Sequence, residues 1–109
     1  RLQLLDLGVA QDADAFWMNL TPGAFAADAR RGWIQRDELR QAISLAVDRQ
    51  AFADAVFRGA AVPVYGPVTP ANTIWYSDQV PHTPFDPAAA RRDLASIGLS
   101  DPDGDGVLG

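Results

Sequence analysis

The chain has no cysteine among its 109 residues. Disulfide scaffolds, thiolate metal sites and cysteine nucleophiles are therefore excluded, although the redox compartment stays open. It also has no lysine, so all nine cationic side chains are arginines. They are scattered, and alanine is abundant. That pattern reads as a genomic preference for Ala and Arg codons rather than an arginine-built anion site. Positive charge is scarce overall, with a net charge of −5. A nucleic-acid binder needs a basic face to neutralise phosphates, and an anionic membrane surface makes a similar demand. No apolar run approaches the ~20 residues of a membrane span, and no leader segment is recognisable.

What remains is the composition of an ordinary folded domain: 48% hydrophobic and 21% charged residues. The length suits one small domain, here expected to be a single partial one over 1–109. The chain begins at Arg1 and stops at Gly109 just after an acidic, turn-rich run. Both ends read as cut from a longer protein.

Apolar patterning predicts short strands over Leu2–Ala10 and Ala15–Leu20, the second closed by Thr21-Pro22-Gly23. Ala24–Arg31 is expected to form a loose helical turn ended by Gly32. The clearest helix is Asp37–Val47, with Leu39, Ala42, Ile43, Ala46 and Val47 on one stripe and Asp37 as its cap. Asp48 is placed to cap a second helix, Arg49–Arg58, whose apolar face holds Ala51, Phe52, Ala55 and Val56, with Gly59 as a left-handed terminus. Residues 60–84 contain five prolines, which forbid a long helix. The same segment carries Val62, Val64, Tyr65, Val68, Ile74, Trp75 and Tyr76, too apolar to float in water, and is expected to lie as an ordered cover. Asp86-Pro87 starts a third helix that runs to about Ile97 and ends at Gly98, with Leu99 folding back.

Few residues carry chemistry. His82, the single histidine, lies between Pro81 and Thr83 with no nucleophile motif in the chain, so it reads as a solvated loop residue. Asn19 is expected to bond local backbone. Trp75 and Tyr76 are the candidate ligand-binding residues: an aromatic pair on a proline-rich loop supplies apolar area with polar tips and suits one wall of a cleft. The competing reading is that the pair covers the domain's own core. Asp101, Asp103 and Asp105, followed by Gly106, copy the first half of a calcium loop, but a full loop closes with a bidentate Glu at about position 12. A polar turn explains the same residues, so no metal and no cofactor are assigned. A helix-turn-helix reading of the two leading helices founders on the acidity of the chain.

Several stretches, in order, resemble one family. Leu39-Arg40-Gln41-Ala42-Ile43-Ser44-Leu45-Ala46-Val47-Asp48-Arg49 is similar to the V-R-Q-A-L-x-x-A-I-D-R signature of family 5 extracellular solute-binding proteins, the peptide-, dipeptide- and nickel-binding components of ABC importers. Arg58-Gly59-Ala60-Ala61 with Gly66-Pro67-Val68-Thr69-Pro70 resembles that family's G-x-A-x-P-x-x-x-P-x-P stretch. Asp86 to Leu99 resembles its Asp-Pro helix, Phe16–Leu20 its L-x-F-N strand, and Asp101–Gly106 its D-x-D-G-D-G turn. The departures are Ala24–Trp33, which is no hallmark, and Asp93 and Ser96, where apolar residues or Ala are usual.

The resemblance implies a helix-rich α/β fragment of a type II periplasmic-binding-protein lobe: three main helices with one or two short strands, from the first half of the second lobe. It implies a non-enzymatic protein, periplasmic or otherwise extracytoplasmic and with a lipid anchor as one option, that captures peptides or similar small solutes by closure of two lobes and hands them to ABC permease subunits. The charged contacts to peptide termini come from outside this stretch in the family, so none is carried over. Two rivals are kept: a calcium-stabilised interaction module built on Asp101–Gly106, and a hydrolase whose active site lies elsewhere. An incomplete sheet would also expose strand edges through which copies could self-associate.

Overall fold

A computed structural model describes residues 1–28 and 30–108. Its helices are α1 (Arg31–Ile34), α2 (Asp37–Ala46), α3 (Arg49–Phe57) and α4 (Pro87–Ser96). The chain divides into two compact units: Arg1–Phe16 with Arg49–His82, and Trp17–Asp48 with Thr83–Gly109. Among the described residues no helix is long and apolar enough to cross a membrane.

The second unit is built on α2 packed against α4. Ala42 (1% exposed) and Ala90 (4%) are buried together with Leu45, and Ala89 and Leu94 pack around them. Small side chains at the crossing let the two backbones approach closely, which gives many weak dispersion contacts from little apolar volume. The junction is also pinned through the main chain: the Asp86 amide donates to the Leu45 carbonyl at 2.9 Å, joining the start of α4 to the last turn of α2. The backbone changes course next to that point, because Val47 is extended (φ −91°, ψ 113°).

Both ends of α4 follow from local sequence. Asp86 Oδ1 accepts from the Ala89 amide at 2.9 Å, and Pro87 occupies the first turn. At the other end the Leu99 amide donates to Leu94 and the Gly98 amide to Ala95, with Gly98 at φ +83°. These paired bonds form a Schellman ending, and Leu99 is buried.

Four sequence expectations are corrected. No strand forms among the described residues. Leu2, Leu4, Leu5 and Leu7 are exposed, as are Phe16 and Trp17. A strand exists only through ladder bonds to a neighbour, and these apolar runs find none, so a suitable pattern is left as extended chain. Gly32 lies inside α1 rather than ending a helix. Asp37 is not the cap of α2; Arg36 stands there, extended and with no capping side chain, while Asp37 sits in the first turn and pairs with Arg40. Arg40 also donates to the Ile34 carbonyl at 2.9 Å, bridging α1 and α2. Glu38, in the same turn, has its carboxyl held below the ordinary range by its own backbone amide, as a helix start favours. Finally, α2 buries Ala42 and Leu45, whereas Ile43 and Val47 are exposed: the helix is rotated toward one edge of its predicted stripe.

In the first unit, α3 buries Ala53, while Phe52 and Val56 of its predicted face are exposed. Its end is a double left-handed turn, Arg58 at φ +53° and Gly59 at φ +77°.

The α4 ends give two stability predictions. Asp86→Ala should cost about 1 kcal/mol, and Asp86→Asn should recover most of it. Gly98→Ala should cost a further ~1 kcal/mol through the left-handed backbone. Urea midpoints of the three variants provide the check.

Candidate functional site

The candidate residues Trp75 and Tyr76 sit in the first unit, on the proline-rich segment between α3 and His82. This segment is tied down in few places. Thr69 is 2% exposed, and its hydroxyl donates to the Ala10 carbonyl at 2.8 Å across 59 residues of sequence. The Asn72 amide donates to the Thr69 carbonyl at 3.0 Å, the Tyr76 amide to the Asn72 carbonyl at 2.9 Å, and the Trp75 amide to Asn72 Oδ1 at 3.2 Å. Asn72 thus organises the turn that presents both rings, as Asn does well in turns. Gly66 faces Val80: a Cβ built at Gly66 would lie 3.7 Å from the Val80 methyls, in ordinary contact.

Together these constraints shape a shallow groove of about 250 Å³, lined by Pro63–Val68, Trp75–Ser77, Val80 and His82. Trp75 is 76% exposed, and Tyr76, at 38%, is the more covered of the two rings. Tyr65 and His82 stack at 4.2 Å between ring centroids and 15° between planes. The Arg49 guanidinium carbon lies 5.3 Å from the Tyr65 centroid, within cation–π range. The sequence reading places His82 on an exposed loop, which holds, but misses its ring partner. His82 lies 17 positions from Tyr65, and no local periodicity encodes such a pairing.

A second hollow, of about 350 Å³, lies in the other unit among Phe25, Asp28, Arg30, Arg31, Trp33, Ile34 and Leu39. Asp28 and Arg30 are bound to one another there at 2.7 Å. The side-chain bond from Arg30, then its backbone amide, lowers the Asp28 carboxyl to about 2. Asn19 bonds locally, accepting from the Thr21 amide at 3.0 Å.

Asp101, Asp103 and Asp105 do converge: one carboxylate oxygen from each lies within 4.8 Å of the others, all exposed. The Asp101 carboxylate accepts from the amides of Asp105 (3.1 Å) and Gly106 (3.0 Å), and Asp105 accepts from Val107 (2.7 Å). With Gly104 and Gly106 both at positive φ, these are the bonds of an Asp-Gly turn.

Two predictions arise. Thr69→Val keeps the side-chain shape but removes the bond to the Ala10 carbonyl, so it should cost about 1 kcal/mol in urea unfolding, with Thr69→Ser milder. Asp28 has a depressed carboxyl in the folded chain, so its favourable contribution is complete above the ordinary aspartate range and fades as pH falls through about 2. By carboxyl NMR, Arg30→Gln should move that midpoint up toward the ordinary value of 3.8.

Comparison with known proteins matches the pattern built up from the residues. A heme-binding protein A from Haemophilus influenzae is 40% identical over 62 residues, covering 56% of this chain and 11% of that protein. A di/tripeptide-binding protein from Pseudomonas aeruginosa is 40% identical over 65 residues, 59% of this chain and 12% of its own length. A glutathione-binding protein from Salmonella choleraesuis is 39% identical over 64 residues, with coverage of 59% and 12%. The chain thus spans a small part of the curated relatives it matches. No solved structure is significantly similar to it. The family model described as bacterial extracellular solute-binding proteins, family 5 Middle, matches residues 8–108, and the chain belongs to that family.

Proposed function

We propose that this chain is a segment of the second lobe of the extracytoplasmic substrate-binding component of an ABC importer, and that Trp75 and Tyr76 form part of the wall against which a short peptide or similar small solute rests. Membership in a family of extracellular solute-binding proteins is the observation that carries the reading. It supports a carrier rather than an enzyme. The names of the relatives, which span di/tripeptides, glutathione and heme, support a ligand class of small peptides and comparable solutes. The site adds an aromatic pair presented by a turn that Asn72 holds, beside a groove that both rings line, which supports a contact surface.

The work of such a protein is capture. Solute contacts made from two lobes favour the closed arrangement over the open one, and the difference in affinity between the two sets how far closure is driven. The closed form is then what the permease subunits receive. This segment supplies one wall; the counter-charges for peptide termini belong to other parts of the protein.

The test is isothermal titration of the full-length protein that carries this chain with di- and tripeptides. Micromolar binding is expected, weakened at least fivefold in the Trp75→Ala/Tyr76→Ala double variant with its melting temperature kept. Absence of peptide binding would remove the ligand class, and an unchanged affinity in the variant would remove the two rings from the site.

A further inference from the structure

Beyond a general solute wall, the groove has a chemistry of its own. No Asp, Glu, Lys or Arg is among its lining residues. The Arg49 guanidinium lies over the Tyr65 ring at 5.3 Å but outside the lining, so a charged terminus would give up water there with no charged group in the wall itself, which is costly. What the lining does offer is flat and apolar: the rings of Tyr65, Trp75, Tyr76 and His82, with Val64, Val68 and Val80 between them. The volume also discriminates. At about 250 Å³ the groove exceeds the ~150 Å³ at which an apolar protein cavity accepts benzene. A single ring or a bicyclic ring fits, while the space is larger than a methyl group can fill. Polar groups are carried by Tyr65, Trp75, Tyr76, Ser77 and His82 of the same lining, the Ser77 hydroxyl already accepting from the Gln79 amide at 3.2 Å, and such groups suit the polar edge of an indole or phenol.

We infer that this groove is a subsite for an uncharged, ring-bearing side chain, such as that of a Trp, Tyr or Phe residue in a peptide ligand, and not for a peptide terminus. The inference deepens the proposed function by naming what one subsite takes, and it rests on that reading only for the ligand's being a peptide. Ring recognition itself needs neither a second lobe nor transport. The Tyr65–His82 stack, already formed at 4.2 Å, sets one ring plane in advance, and offset stacking or an edge-to-face approach by an incoming ring adds to burial. Trp75, far more exposed than Tyr65 or Tyr76, is the one placed to fold over a guest.

The test uses the full-length protein that carries this chain, with three small probes followed by two-dimensional NMR at the signals of this chain: N-acetyltryptophanamide, N-acetylalaninamide and the free zwitterion tryptophan. The expected result is saturable shifts confined to residues 63–82 with N-acetyltryptophanamide, at a dissociation constant of roughly 1 mM or tighter. N-acetylalaninamide should bind at least tenfold more weakly, and free tryptophan less well than its blocked form. Trp75→Ala should weaken the ring probe at least fivefold. Ser77→Trp, at an exposed lining position, should abolish binding by occupying the groove, with the amide signal of Ala53, buried in the same unit, unmoved as a check on folding. Equal response to the alanine and tryptophan amides, preference for the zwitterion, or shifts outside 63–82 overturns the ring subsite. None of these outcomes depends on whether the full-length protein binds peptides, so failure here and failure of the importer reading are told apart.

Discussion

The close approach of α2 and α4 is the constraint on which the second unit rests. It is made by Ala42 and Ala90, two of the smallest side chains available, and by one main-chain bond from Asp86 to Leu45. Small residues contribute little apolar area themselves, so the gain comes from what their absence of bulk permits: backbones near enough to share a hydrogen bond, and Leu45 and Leu94 drawn in around them. Asp86 acts twice, through its amide toward Leu45 and through its carboxylate toward Ala89. A single residue thereby fixes both the start of α4 and its seat on α2.

The first unit solves a different problem. Its groove has no deep core beneath it; Ala53 and Thr69 are its buried residues among those described. Order comes instead from directional bonds. The Thr69 hydroxyl reaches across the chain to Ala10, and Asn72 uses its carbonyl and its side chain to hold the next turn. Polar clasps of this kind hold geometry without demanding volume, which leaves the rings of Tyr65, Trp75 and Tyr76 at the surface.

What was legible in the sequence is what is decided locally. The α4 boundaries could be read from Asp86-Pro87 and Gly98-Leu99, because capping involves residues within a few positions of each other. The α3 terminus at Gly59 and the family signature across α2 were legible for the same reason. The buried edge of α2 was not: the stripe predicts an apolar face, but whether Ile43 or Leu45 turns inward depends on where α4 approaches. The strands failed similarly, since pairing is a property of two segments and the alternation belongs to one. At the site, the aromatic pair could be named from composition, but the Tyr65–His82 stack and the Thr69 clasp join residues 17 and 59 positions apart, beyond any periodic signal.

The five prolines between residues 60 and 84 have a consequence for how this surface tolerates change. Each restricts the unfolded chain as much as the folded one, worth roughly 0.4–1 kcal/mol where the geometry is compatible. Much of the segment's order is thus already present as missing freedom before any side chain makes contact. Apart from Thr69 and Asn72, which hold the backbone, residues between the prolines are correspondingly released from structural duty. Exchanging them would alter the shape and polarity of the hollow while its backbone rim persisted, so that variation at this surface is separated from folding.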